Sequence, residues 1–201
     1  MKQRSKITAA ILIGGKSKRF GSDKALFEYQ GEPIVLRVRK ILKEVFDKEP
    51  LFIGRICLPF DVLSYPDLLH NKGPIGGLYT ALKLVNTDYV FLSACDMPFM
   101  KKDVIEYMVD NLNDTSSIYI PRFDNSYIEP LFAIYKKTLI GKIEKLVNSG
   151  DYRMRSLLPG ENVQFLSQRE IENFDQELLS FVNINTKHDL KKVEEIKSEK
   201  S

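Results

Sequence analysis

The chain has 201 residues, 43% of them apolar and 28% charged, and 30 basic against 27 acidic side chains leave a formal net charge of +3. That is enough chain for one good core or two small ones, in the composition of an ordinary folded domain rather than a disordered one. The near balance of charge argues against a nucleic-acid binder, and no apolar run approaches the ~20 residues that span a bilayer.

The start, Met1 to Lys6, is basic, but the apolar run behind it is too short for a signal peptide. Ile7–Ile13 reads as a buried strand that stops at Gly14-Gly15. A loop with four cations in nine residues comes next: Lys16, Lys18, Arg19 and Lys24. Glycine lets backbone N–H groups approach a ligand closely, and successive N–H groups form an anion-binding concavity that Lys and Arg reinforce. A triphosphate suits such a loop. It is not a Walker A loop, because Ser22-Asp23-Lys24 follows Gly21, and it lacks the G-x-G-x-x-G dinucleotide fingerprint.

Pro33–Phe46 reads as a helix with Pro33 in its first turn and Ile34, Val38, Ile41, Leu42 and Val45 on one face. Leu51–Gly54 is a strand, and Ile75–Val85 a helix opened by Gly73-Pro74-Ile75-Gly76-Gly77. Tyr89–Ala94 is continuously apolar, as parallel strands covered on both faces are. Asp103–Leu112 is a helix, Ser117–Pro121 and Leu131–Tyr135 are strands, and Lys136–Asn148 is a helix. Val163–Leu166 and Phe181–Ile184 are short strands before a closing helix, Thr186–Glu199, with Thr186 and Asp189 as a capping pair. The alternation predicts an α/β fold with a mostly parallel, doubly wound sheet. Ligands of such sheets bind beyond the carboxyl ends of the strands.

Two cysteines, Cys57 and Cys95, lack C-x-x-C spacing and read as free thiols of a reducing compartment, so the expected location is the cytoplasm. Two histidines leave little room for a histidine-based zinc site. The chemistry is expected to run on carboxylates, lysines and backbone. Asp96, just after Tyr89–Ala94 and two residues before Pro98, is placed to hold Mg2+, which takes one or two carboxylates and completes its shell with phosphate and water. Alone, such an Asp is better read as a helix cap or Asx-turn; the glycine loop on the same chain reverses the preference. Lys24, helped by Arg19, is the candidate for neutralising leaving-group charge. Gly73–Gly77 reads equally as tight helix packing or as a backbone wall against a base or ribose. Asp67 offers an acceptor to an amino group or ribose hydroxyl, and by itself is a loop aspartate. In an extended strand Asn183 and Asn185 face one side, where they bind a ligand or cap the next helix with equal claim. Cys95 and Met97 read as packing residues and His70 as a loop residue.

Together these segments resemble the molybdenum cofactor guanylyltransferase family of nucleotidyltransferases. That family carries L-A-G-G-x-S-x-R-M-G-x-D-K, a G-P-L-x-G segment preceded by an acidic residue, C-D-x-P and a late N-x-N-T. This chain has Leu12-Ile13-Gly14-Gly15-Lys16-Ser17-Lys18-Arg19-Phe20-Gly21-Ser22-Asp23-Lys24, Asp67 with Gly73–Gly77, Cys95-Asp96-Met97-Pro98 and Asn183-Ile184-Asn185-Thr186, in that order. The resemblance implies a Rossmann-like three-layer α/β/α sandwich of the nucleotide-diphospho-sugar transferase type. It implies one domain over residues 1–201, with a nucleotide-binding half at about 6–100 and an acceptor-binding half at about 101–196. The implied reaction moves GMP from GTP to molybdopterin with release of pyrophosphate, dependent on Mg2+.

By similarity, Leu12, Ile13 and Gly14 meet the guanine or ribose through the backbone with Gly15 nearby, Lys24 meets the triphosphate, Asp67 the nucleoside, and Asp96 both nucleotide and Mg2+. Asn183 and Asn185 fall on the pterin side. Implied partners are the two substrates, with transient contact to molybdenum-insertion proteins or recipient molybdoenzymes, and neither nucleic acid nor membrane. The chain departs from the family pattern at Ile13, where alanine is usual, at Phe20 in place of methionine, and near Leu51–Arg55, where no asparagine stands. These changes bear on base selection. The rivals are a relative that uses CTP, one whose acceptor is a sugar or polyol phosphate, and a non-catalytic nucleotide- and cofactor-binding adaptor. Gly14-Gly15 favours GTP, since cytidylyl relatives carry alanine-glycine there, and Lys24 together with Asp96 disfavours the adaptor.

Overall fold

A computed structural model describes residues 3–14, 26–54, 58 and 62–198. Seven strands form one sheet in the order β5-β4-β1-β6-β8-β7-β9. They are β1 (Ile7–Leu12), β4 (Leu51–Ile53), β5 (Ser64–Tyr65), β6 (Tyr89–Ala94), β7 (Ile118–Arg122), β8 (Phe132–Lys136) and β9 (Val163–Ser167). β2 (Glu28–Tyr29) and β3 (Glu32–Pro33) make a separate antiparallel pair. β1 lies parallel to β4 and β6, β4 to β5, and β7 to β9, while β8 runs against both its neighbours. The sheet is therefore mostly parallel, with β8 reversed.

Alternation within the strands divides the apolar side chains between two layers. Ile7, Ala9, Ile11 and Ile13 from β1 and its end, with Phe91 of β6, point to one side. There they meet Val38, Leu42 and Val45 of α1 (Ile34–Phe46) and Val104, Ile105 and Met108 of α3 (Lys102–Asp110). Ala10, Val90, Leu92, Ala133 and Tyr135 point to the other, against Ile75, Leu78 and Leu82 of α2 (Pro74–Leu84) and Ile143 of α4 (Ile140–Asn148). This is the expected three-layer sandwich. All six residues of β6 are buried, as its unbroken apolar run predicts. Cys95 and Met97 are core residues as expected, and Cys57 lies outside the described residues.

A smaller core joins the β2–β3 pair to the end of the chain, where Tyr29, Ile34 and Phe99 pack with Leu179, Ile184 and Val193. Val193 belongs to α6 (Lys187–Ser198). One expectation fails here. Phe181–Ile184 is not a strand: residues Leu179–Phe181 form a 3-10 turn and pair with no strand. Buried Asp175 causes it, one carboxylate oxygen accepting the Leu179 N–H at 3.1 Å and the other the Ser180 N–H at 2.7 Å. α5 (Gln168–Glu172), with its Ser167–Glu170 capping box, and the short β5 were not expected from the sequence.

The end of α1 is tied to the start of β4 by Glu49, whose carboxylate accepts from Arg39 at 2.9 and 3.0 Å and from Lys43 at 2.5 Å. The bonds from Arg39 and then Lys43 hold its pKa down at about 2. A depressed carboxylate pKa stabilises the fold above its unfolded value of ~4.3 and loses that contribution as pH falls through the folded one. The group is about half exposed, so the effect is small, under ~1 kcal/mol. Urea unfolding of Glu49→Gln is expected to show that deficit at pH 7 and a shrinking one as pH falls toward about 2 and below.

Candidate active site

The carboxyl ends of β4, β1 and β6 lie side by side, and backbone hydrogen bonds lock the segments just beyond them. The Ile13 N–H donates to Ile53 O at 2.8 Å, Gly54 N–H to Tyr65 O at 2.8 Å, and Cys95 N–H to Leu12 O at 3.2 Å. Leu12 is half-buried and Gly14 exposed, so the chain reaches the surface where the glycine loop begins. Ile13 is fully buried and its side chain joins the α1/α3 core. The bulk that distinguishes it from the usual alanine therefore points into the core, and its N–H is engaged by β4. Gly15, Arg19 and Lys24, with the other cations of the loop, lie outside the described residues.

Asp96 follows the end of β6. From Tyr89 to Met100 every residue is buried except Asp96, which is half-buried. The Asp96 carbonyl accepts the Ile184 N–H at 2.8 Å, so the Asn183–Asn185 segment meets the same strand end that the sequence assigns to the nucleotide. Asn183 is exposed; Asn185 is half-buried and its N–H donates to the Asp189 carboxylate at 2.8 Å, the start of α6. Lacking a strand, the two amides are not set on one face by pleating. Their position comes instead from the turn on Asp175 and from the Lys101 N–H, which donates to Ser180 Oγ at 2.8 Å.

On the other flank, Gly73–Gly77 forms the start of α2. Close packing accounts for both inner glycines. A Cβ at Gly76 would lie 2.7 Å from Leu69 O, and one at Gly77 2.5 Å from Leu12 Cδ2. Half-buried Asp67 sits in the segment before α2, which is fastened to that helix by the Leu68 N–H donating to Thr80 Oγ1 at 2.9 Å. Asp67, Gly77, Leu12, Asp96 and Asn185 thus belong to segments joined at one end of the sheet.

One acidic residue at this end is not marked by the sequence pattern. Glu129 precedes β8 and is 4% exposed. Its Oε1 accepts the Leu131 N–H at 2.9 Å and its Oε2 the Tyr127 O–H at 2.8 Å. Burial, chiefly, and the Asp96 charge push its pKa up, against the pull of those two donors. A carboxylate bordering an apolar run is the same signal that marks Asp96. Because β8 is reversed, the informative carboxylate stands before its strand rather than after it.

Order of strands and layering make this a nucleotidyltransferase fold, and a family model described as MobA-like NTP transferase domain matches residues 9–165. A probable molybdenum cofactor guanylyltransferase of Aquifex aeolicus is 35% identical over 189 residues, covering 92% of this chain and 89% of its own. The molybdenum cofactor guanylyltransferase of Syntrophotalea carbinolica is 33% identical, over 92% and 89%. The crystal structure of molybdopterin-guanine dinucleotide biosynthesis protein A from Archaeoglobus fulgidus superposes with a TM-score of 0.78 at 29% identity, over 96% and 99% of the chains. The chain belongs to the molybdenum cofactor guanylyltransferase family.

Proposed function

We propose that this chain transfers GMP from GTP to molybdopterin, releasing pyrophosphate, with Mg2+ held at Asp96. The observation that carries this reading is the opening of Asp96 from an otherwise buried segment, between the β1 end that leads into the glycine loop and the Asn183–Asn185 stretch. Relatives named guanylyltransferases over nine-tenths of the chain support the choice of reaction.

The donor set suits Mg2+: Asp96 is a hard oxygen ligand, and among the described residues no group of three or more His, Cys, Asp or Glu side chains builds an all-protein cage. One carboxylate with phosphate oxygens and water is how Mg2+ is usually held. When bound, the ion offsets charge on the α-phosphate and the departing pyrophosphate. The attacking group is the acceptor's terminal phosphate, which is largely ionised at neutral pH with a second pKa of ~6, so the protein need not remove a proton. Its task is in-line placement and charge neutralisation. Lys24 and Arg19 supply positive charge to the triphosphate, and Leu12, Gly14, Gly15 and Asp67 border the nucleoside. Asn183 and Asn185 face the pterin.

Pyrophosphate release from GTP, CTP, ATP and UTP, each with Mg2+ and molybdenum-loaded molybdopterin, tests the reading. Release with GTP alone is the expected result. Release with CTP instead transfers the enzyme to the cytidylyl branch. Tight GTP binding without release favours a cofactor-holding adaptor.

A further inference from the structure

We infer that Glu129 is a positioning residue for the cation at Asp96, a second negative charge, fixed in place by Leu131 and Tyr127, that strengthens the divalent-cation site without ligating it. The inference rests on the reading of Asp96 as the cation-holding carboxylate.

The placement comes from strand register. β6 and β8 pair antiparallel from Tyr89↔Lys136 to Ser93↔Phe132. Asp96 lies three residues beyond that last pair on the β6 side and Glu129 three residues before it on the β8 side, so both stand at the same end of the paired strands, and the Asp96 charge helps push the Glu129 pKa up. Glu129 is held there on every side. Its N–H donates to Pro121 O and its carbonyl accepts the Phe132 N–H, both at 3.3 Å, while its two carboxylate oxygens take the Leu131 N–H and the Tyr127 O–H. Both oxygens face donors of the 123–131 loop, which leaves the direct ligand role to Asp96 and gives Glu129 its effect through space.

Two like charges at a strand end are unfavourable in the bare protein, and burying one of them adds desolvation. A divalent cation held at Asp96 would add a positive charge that attracts Glu129 and outweighs the repulsion between the two carboxylates. At an effective dielectric constant of about 20, a unit charge within roughly 10 Å of such an ion changes its affinity by about tenfold or more.

The test is Mn2+ binding to the full chain with GTP present, followed by electron paramagnetic resonance, beside thermal unfolding. Glu129→Gln keeps the shape and can still accept the Leu131 N–H. It is expected to weaken Mn2+ about tenfold, and Glu129→Asp, which keeps the charge, to stay within about threefold of wild type. Wild-type affinity in Glu129→Gln overturns the inference. A tenfold loss in Glu129→Asp also overturns it, because shape rather than charge would then matter, and that arm decides the matter where Glu129→Gln does not fold. Wild-type protein that binds no Mn2+ even with GTP refutes the Asp96 reading itself, and the role of Glu129 falls with it.

Discussion

Asp96→Ala is expected to lower the rate of pyrophosphate release at least a hundred- to a thousandfold, roughly what removal of one preorganised electrostatic group costs. The fold should survive. The side chain is half-buried, not part of the core, and the bond from Ile184 is made to the backbone carbonyl, which alanine retains. Circular dichroism and a thermal midpoint close to wild type would separate lost chemistry from lost structure. A near-normal rate in a folded variant would move the cation away from Asp96 and take the proposed mechanism with it.

Gly54→Ala is expected to have the largest effect on stability, about 3 kcal/mol or more. Gly54 has φ +144°, a region L side chains avoid, and a Cβ built there lies 1.7 Å from Ile13 O and 2.8 Å from its carbonyl carbon. These are backbone atoms at the end of β1, so no rotamer change relieves the clash. The strands must part, which strains the Ile13–Ile53 and Gly54–Tyr65 bonds together. Since Ile13 leads directly into the glycine loop, the variant should also bind GTP more weakly. Chemical denaturation and GTP titration at a temperature where the variant remains folded measure both. A midpoint unchanged from wild type would show that β1 and β4 are less tightly apposed than described.

Local signals were enough for most of the fold. Tyr89–Ala94 is a strand with the expected ends, because a continuous apolar run leaves no other way to bury both faces. α1, α2 and α3 start and stop within two residues of their expected bounds. The features that local signals miss depend on partners distant in sequence. Phe181–Ile184 has the apolar residues of a strand, but buried Asp175 supplies acceptors that curl the preceding residues into a turn. The reversal of β8 follows from its pairing between β6 and β7, and its own sequence does not state a direction. Of the candidate residues, Leu12 and Asp96 stand at the carboxyl ends of β1 and β6, where the carboxyl-end rule looks. Glu129 stands before β8, and that rule, applied to a strand of unknown direction, looks to the other end.

The centre of the sheet has a consequence for how the molecule is made. β1 pairs with β6 along its full length, Ile7 with Tyr89 through Leu12 with Ala94, so its neighbour on that side lies some eighty residues downstream. During synthesis the first strand, apolar on both faces, must wait with one edge open until that much more chain has emerged. Closing so long a loop is slow. Leu12 and Asp96 therefore become neighbours in the same event that completes the middle of the sheet. A chain stalled before Ala94 would display an aggregation-prone edge and no cleft at all.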